Sequence, residues 1–69
     1  MEREAVTSNN VAGIGYDPES LTLEVEFMSG DVYQYFDVPE TEYDGLRGAG
    51  SIGGYLNANI KGRYRYARI

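Results

Sequence analysis

In the segment LTLEVEF (residues 21–27), apolar and polar side chains alternate without interruption. Leu23, Val25 and Phe27 share one face of an extended chain, whereas Glu24 and Glu26 share the other. This two-residue period is typical of a β-strand with one buried face and one solvated face. We therefore predict a strand here and expect it to form the centre of an antiparallel sheet.

The sequence on either side of this strand predicts two antiparallel neighbours. Residues 5–16 alternate weakly and end in the run Asp17-Pro-Glu-Ser20, where Asp and Pro occupy preferred positions of a type I turn. On the other side, Ser29-Gly30 predicts a turn, and residues 31–38 (DVYQYFDV) return as a strand. Together these segments predict a three-stranded antiparallel meander.

Two short helices and a tail follow the predicted sheet. Pro39 ends the sheet because it has no N–H to donate, and it suits the first turn of a helix that ends near Gly48. Ser51 is a candidate N-cap for a second helix, because residues 52–60 repeat apolar side chains at helical spacing. Residues 63–69 (RYRYARI) alternate, which predicts a strand-like or extended tail. The sequence thus predicts one α+β domain over residues 1–69.

Tyr33 and Tyr35 lie on one face of their strand, and the length of the preceding turn decides which face. A two-residue loop at Ser29-Gly30 turns both tyrosines outward. A three-residue loop, Ser29 to Asp31, pairs Phe27 with Tyr33 and turns both tyrosines toward the core. We favour the outward placement because it keeps Val32 in the core. Outward tyrosines form a stacking platform for bases, and inward ones form a second core layer.

The composition excludes several classes of chemistry. The 69 residues include no cysteine and no histidine, so thiol catalysis, histidine acid–base catalysis and Cys/His metal sites lack their side chains. We predict no catalytic residue, no metal site and no cofactor. The enzymatic alternative is a carboxylate-dependent hydrolase that uses Glu24 and Glu26, which we interpret instead as a solvated strand face.

Nothing in the sequence predicts membrane association. The charged start of the chain is followed by no apolar run, unlike a signal peptide, and no segment approaches the roughly 20 apolar residues of a membrane span. We therefore expect a cytoplasmic protein.

Charge is distributed unevenly along the chain. All 11 acidic residues lie in residues 1–44, together with the single base Arg3, whereas residues 45–69 contain five bases and no acid. Such asymmetry has two interpretations: the basic segment binds a polyanion, or the two halves attract each other in the fold. The Gly/Ser run over residues 48–54 favours a phosphate site at its backbone N–H groups. The candidate ligand-binding residues are Tyr33, Tyr35, Ser51, Gly53, Asn57, Asn59, Lys61, Arg63, Tyr64 and Arg65.

Several motifs, in order along the chain, resemble the KTSC domain family. They are IGYDPE (14–19), LEVEF (23–27), YQY (33–35), Val38-Pro39, AGSIG (49–53), YLNANI (55–60) and Tyr64. That family is named for a domain at the C-terminus of some lysyl-tRNA synthetases and includes free-standing bacterial and phage proteins. The resemblance implies a role in binding RNA. The sequence departs from the family pattern at Gly50 and Ile52, where the family usually has Asp and Lys. Lys61, Arg63 and Arg65 are therefore expected to supply the positive charge.

Two functions therefore remain open. The first is a non-catalytic module that binds RNA or another phosphate-bearing ligand such as a nucleotide. The alternative is a protein-interaction or homodimerisation module that uses the acidic sheet or an exposed strand edge.

Overall fold

The computed structural model describes residues 3–69 and confirms an α+β fold. Its strands and helices are, in chain order, β1 (Glu4–Ala5), β2 (Val11–Asp17), β3 (Thr22–Phe27), β4 (Val32–Tyr35), α1 (Glu40–Arg47), α2 (Ile52–Tyr55) and β5 (Tyr66–Arg68). A π-helical segment, Leu56–Ile60, continues α2. None of the helices in residues 3–69 has the length and apolar character needed to cross a membrane.

All five strands form one antiparallel sheet in the order β1-β2-β3-β4-β5. The predicted meander forms the centre of this sheet, but the predicted number of three strands is wrong: β1 was not predicted, and the strand-like tail joins the sheet as β5. At the first edge, the Ser8 hydroxyl accepts hydrogen bonds from the N–H groups of Asn10 and Val11, so residues 5–16 are divided between β1 and β2. At the other edge, the alternating tail pairs with β4 as a strand, in agreement with its pattern.

The hairpin between β3 and β4 has a three-residue loop. The N–H of Phe27 donates to the carbonyl of Asp31 at 2.9 Å, so the loop consists of residues 28–30. Gly30 ends this loop at φ 94°, a conformation that glycine adopts at little cost and that three-residue hairpin loops require. The predicted two-residue loop at Ser29-Gly30 is wrong. The alternative three-residue loop had the right length, but the observed loop begins one residue earlier, at Met28 rather than at Ser29.

This register turns Tyr33 and Tyr35 toward the helices. Tyr33 lies opposite Val25, and Tyr35 lies opposite Leu23, so the four side chains share the apolar face of the sheet. The predicted outward placement of the two tyrosines is therefore wrong, because a shift of one residue moves every side chain of a strand to the other face.

The hydrophobic core lies between this sheet face and the helices. Leu23 and Val25 are fully buried at its centre, where burial of such side chains stabilises the fold by about 1.5–3 kcal/mol each. The buried core comprises Val11, Ile14, Leu23, Val25, Tyr35, Val38, Leu46, Ile52, Leu56 and Ile60.

Both helices begin where the sequence predicted. α1 follows Pro39 and ends at Gly48, and the Ser51 hydroxyl caps α2 by accepting the N–H of Gly54 at 3.1 Å. The π-helical segment was not predicted. It ends with the N–H of Lys61 donating to the carbonyl of Leu56, five residues earlier, at 2.8 Å. Such segments often lie near functional sites.

Candidate functional site

An open groove of about 710 Å³ lies at one end of the helix-covered sheet face. Side chains of β3, β4 and β5 line it from the sheet, and Lys61 and Gly62 line it just beyond the π-helical segment. Asn10, Met28 and Ser29 of the β3–β4 loop, and Asp31 complete the lining. The groove falls within the range of about 300–1,000 Å³ that is usual for small-molecule sites.

Four aromatic side chains line this groove: Phe27, Tyr33, Tyr35 and Tyr66. The ring of Tyr33 lies 5.7 Å from that of Tyr66 and 5.6 Å, edge-on, from that of Phe27, measured between centroids. Tyr35 lies 5.9 Å from Tyr66. Tyr35 is only 3% exposed, whereas Tyr66 is 62% exposed. The cluster is therefore anchored in the core and presents an accessible ring at its outer end.

Protonation keeps the buried end of this cluster neutral. Burial raises the pKa of the Tyr35 hydroxyl above its ordinary value, and the neighbouring Tyr33 and Tyr66 add to this effect. At neutral pH the inner wall of the groove is therefore an uncharged phenol.

Lys61 supplies the positive charge of the groove. Its Nζ lies 5.2 Å from the centroid of the Phe27 ring, a distance suited to a cation–π contact. Among residues 3–69, no carboxylate lies within 4.0 Å of this Nζ. Asp31, which also lines the groove, pairs with Arg68 at 3.2 Å. The charge of Lys61 is thus available to an anionic group.

A second, smaller depression of about 380 Å³ lies beside the groove, and we call it the polar pocket. The β1–β2 loop lines it from one side, and the start of α2 lines it from the other. Its lining comprises Thr7, Ser8, Asn9, Asn10, Gly50, Ser51, Ile52, Gly53, Gly54 and Asn57.

Three of the predicted ligand residues, Ser51, Gly53 and Asn57, meet in the polar pocket. No lysine or arginine of residues 3–69 lines it, and Lys61 lines the groove instead. The Ser51 hydroxyl already accepts the N–H of Gly54. The Gly/Ser run therefore has no positive side chain beside it.

Four further predicted residues lie outside both depressions. The Asn59 amide donates to the carbonyl of Tyr55 at 3.4 Å, and the Tyr64 hydroxyl donates to Glu42 at 2.7 Å. Arg65 donates to Asp37 at 2.8 Å, and Arg63 is exposed. The predicted set is thus divided among the groove (Tyr33, Tyr35, Lys61), the polar pocket (Ser51, Gly53, Asn57) and these four positions.

Glu42 of α1 accepts hydrogen bonds from two tyrosines. The Tyr55 hydroxyl donates to one carboxylate oxygen at 2.5 Å, and the Tyr64 hydroxyl donates to the other. These bonds, first from Tyr55 and then from Tyr64, lower the pKa of Glu42, and Arg63 lowers it further. The carboxylate in turn raises the pKa of both tyrosines. This arrangement joins α1 to α2 and to the start of the tail.

Charge pairing between the two halves of the chain occurs at three of the five C-terminal bases. Arg47 pairs with Glu4, Arg65 with Asp37 and Arg68 with Asp31. Within residues 3–69, neither Lys61 nor Arg63 has a carboxylate within 4.0 Å. Three of the five C-terminal bases are therefore paired with acids of the first half of the chain, as the second interpretation of the charge asymmetry predicted.

The prediction of a solvated strand face is wrong for Glu24, which is buried among its own hydrogen-bond partners. Glu24 is only 5% exposed, and its carboxylate accepts hydrogen bonds from Arg3 and Gln34, while Arg3 also pairs with Glu26. Burial would raise the pKa of Glu24, but these bonds outweigh it and hold the pKa below its ordinary value. Among the residues that the structure describes, no group of three or more acidic, histidine or cysteine side chains is arranged to hold a metal ion.

Tyr66, Phe27 and Asn10 line the groove but were not among the predicted site residues. The alternation of the tail places Tyr66 and Arg68 on one strand face. Once the tail is paired with β4, this pattern puts Tyr66 beside Tyr35 and so indicates that it belongs to the site. Nothing local distinguishes Phe27 or Asn10, because their roles depend on contacts that are distant in sequence.

Comparisons with known proteins cover nearly the whole chain. The model of the KTSC domain family matches residues 7–64. The crystal structure of a KTSC domain protein from Yersinia pestis superposes with a TM-score of 0.96 at 35% sequence identity, and the match covers 99% of this chain and 96% of that one.

Two sequence relatives differ in how much of their length is matched. An uncharacterized protein of Stutzerimonas stutzeri is 44% identical over 70 residues, which cover 100% of this chain and 99% of the relative. A lysine–tRNA ligase of Nostoc is 43% identical over 54 residues, which are 78% of this chain and 10% of the ligase. The likeness to the ligase therefore concerns a small part of that protein.

Proposed function

The chain belongs to the KTSC domain family, and from its aromatic groove we propose that it binds a nucleotide, either free or within an unpaired RNA strand. In this proposal the base stacks on Tyr66 and Tyr33, and a phosphate faces Lys61. No catalytic step and no cofactor belong to the proposal, and a cytoplasmic location stays a prediction.

The exposed ring of Tyr66 beside Tyr33 is the observation that carries the proposal. Every base has a flat aromatic face, and base–aromatic stacking contributes about 1–3 kcal/mol per base. Tyr66 is 62% exposed, yet its position is held by Tyr33 and Tyr35, whose rings lie 5.7 and 5.9 Å away. A pre-arranged ring loses little side-chain entropy when a base stacks on it.

Lys61 adds the complementary charge. Its ammonium group lies at the same groove and has no carboxylate partner among residues 3–69. Because the protein has a net charge of −5, attraction to phosphate has to come from local cations rather than from the whole molecule. The likeness to part of a lysine–tRNA ligase supports an RNA-derived ligand.

The proposal is tested by titrating isotope-labelled protein with adenosine monophosphate and with a short unpaired RNA, at low salt, by NMR. We expect chemical-shift changes centred on Tyr33, Tyr66 and Lys61. Tyr66→Ala should weaken binding about tenfold or more because the stacking surface is removed. Salt should weaken binding of the RNA only two- to threefold between about 50 and 200 mM, because a single phosphate contact on an unpaired strand gives a slope of about −0.7.

A matched pair of charge variants separates the groove from general attraction. Lys61→Ala and Arg63→Ala each remove one cation that lies in the basic segment and has no ion pair within residues 3–69. We expect only Lys61→Ala to weaken binding appreciably. Equal effects of the two variants, or shifts that avoid the groove, would contradict the proposal.

One observation favours the alternative of a protein-interaction or homodimerisation module. Tyr66 in the edge strand β5 and Ile69 just beyond it are 62% and 65% exposed, so the sheet edge presents apolar side chains. The acidic sheet face gives this alternative less support, since Arg3 and Gln34 already bind Glu24. A concentration-dependent mass in light scattering, abolished by Ile69→Lys, would favour homodimerisation over nucleotide binding.

A further inference from the structure

We propose that the groove and the polar pocket are two parts of one site, which binds two adjacent nucleotides of an unpaired RNA strand. This inference rests on the proposed function of the groove and specifies its ligand. The groove takes one nucleotide by stacking and charge, and the polar pocket takes the base edge or ribose of its neighbour by hydrogen bonding.

The two depressions are adjacent, because Asn10 lines both. Asn10 is held in place by its backbone: its carbonyl accepts the N–H of Met28 at 2.8 Å, and its N–H donates to the Ser8 hydroxyl at 3.2 Å. The β1–β2 loop is thereby tied to the β3–β4 hairpin. An unpaired RNA strand that leaves the groove past Asn10 would therefore enter the polar pocket next.

The polar pocket has the donors and acceptors of a site for neutral polar groups. Within residues 3–69, the side chains of Thr7, Asn9 and Asn57 form no hydrogen bond, and all three are exposed to the pocket. The Ser8 hydroxyl accepts two backbone N–H groups and retains its own proton to donate. Amide and hydroxyl groups recognise base edges and the 2′-hydroxyl of RNA.

The absence of charge in the pocket lining distinguishes it from a phosphate site. No lysine, arginine, aspartate or glutamate of the described residues lines the pocket, whereas the groove has Lys61. The two parts therefore have complementary chemistry. The groove volume of about 710 Å³ suffices for one nucleotide, and the pocket adds about 380 Å³ for a second group.

The inference is tested by comparing the affinities of adenosine monophosphate and the RNA dinucleotide pApA for the whole chain at physiological salt. We expect the dinucleotide to bind about tenfold tighter, which corresponds to one or two net hydrogen bonds. The double variant Thr7→Ala/Asn57→Ala should lose this gain and bind adenosine monophosphate as the unchanged protein does.

Asn59→Ala is the matched control, because it removes the same side chain from the same π-helical segment but outside the pocket. This variant should still bind pApA about tenfold tighter than adenosine monophosphate. Equal affinities for the two ligands, or an equal loss of both in the pocket variant, would overturn the inference and leave the groove proposal standing. Failure of both ligands to bind would overturn the proposed function together with the inference.

Discussion

At the scale of single residues, Gly45 has a role that only its neighbour explains. It lies inside α1, where glycine destabilises a helix by about 1 kcal/mol relative to alanine. A Cβ atom at this position would collide with the hydroxyl of Tyr55, which approaches α1 to donate to Glu42. The glycine therefore leaves room for the Tyr55 hydroxyl to reach Glu42.

Gly45→Ala should therefore destabilise the protein although alanine favours the helix. Overpacking costs about 1–3 kcal/mol against a gain of about 1 kcal/mol in helix propensity, so we expect a net loss of up to about 2 kcal/mol. Urea unfolding measures the difference. Gly50→Ala is the control, since a Cβ there meets no atom within 4 Å. The loss should shrink in a Tyr55→Phe background, and a stabilised Gly45→Ala variant would contradict this account.

At the scale of elements, β5 connects the fold to the candidate site. This strand is only three residues long and is exposed, yet it provides Tyr66, the accessible ring of the groove. It is held by pairing with β4, because Phe36 donates to the carbonyl of Arg65 and Ile69 donates to that of Val32. Along an antiparallel strand, successive N–H groups point alternately toward the partner strand and away from it. Because residues 65 and 69 bond to β4, the N–H of Ala67 points toward β4 and that of Arg68 points toward the open edge.

Proline substitutions test the role of this pairing. Ala67→Pro removes an N–H that points into the sheet, so it should release β5 and weaken nucleotide binding about tenfold, while the core remains folded. Arg68→Pro places proline where the N–H points outward, a position that edge strands tolerate. Hydrogen exchange of the β4 amides and the affinity for adenosine monophosphate provide the two measurements.

Equal loss of β4 protection in both variants would contradict the pairing as described. Retained binding by Ala67→Pro, with β5 released, would show that Tyr66 does not contribute the stacking surface.

At the scale of the whole molecule, Glu42 joins parts of the fold that are far apart in sequence. Its two tyrosine partners belong to α2 and to the start of the tail. The ion pairs of Arg47, Arg65 and Arg68 likewise link the acidic first half of the chain to the basic second half. Exposed ion pairs contribute only about 0–1 kcal/mol each, so we expect Glu42 to dominate the pH dependence of these links.

The direction of that pH dependence follows from the pKa shifts. The pKa of Glu42 is below its ordinary value of 4.5, so its contribution to stability is present above pH 4.5 and is lost as the pH falls through the lowered pKa. The pKa values of Tyr55 and Tyr64 are above 10.0, so their contribution is present below pH 10 and is lost at more alkaline pH.

Glu42→Gln should therefore reduce the slope of unfolding free energy against pH in the acid range and let the two tyrosines ionise at lower pH. Denaturant unfolding at several pH values and the ultraviolet absorbance of phenolate measure these effects. Glu40→Gln removes a charge from the same helical turn without a hydrogen bond to either tyrosine. Identical tyrosine titrations in Glu42→Gln and the unchanged protein would refute the described contact.

Much of this architecture was predictable because it depends on local patterns. The alternation in residues 21–27, the helix start after Pro39, the Ser51 cap and the strand-like tail each follow from side-chain periodicity or from backbone chemistry within a few residues. The ordered motifs likewise indicated the family. The absence of cysteine and histidine was visible in the composition and restricts the chemistry of any site.

The hairpin register and the membership of the groove were decided by tertiary structure. Two loop lengths were compatible with the sequence around Gly30, and the one with three residues put Tyr33 and Tyr35 on the core face. The division of the predicted ligand residues between the polar pocket and the groove depends on two tertiary contacts. The β1–β2 loop packs beside α2, and Tyr66 pairs with Tyr35. Local periodicity determines which residues form an element, whereas the packing free energy of the whole core selects between registers that differ by one residue.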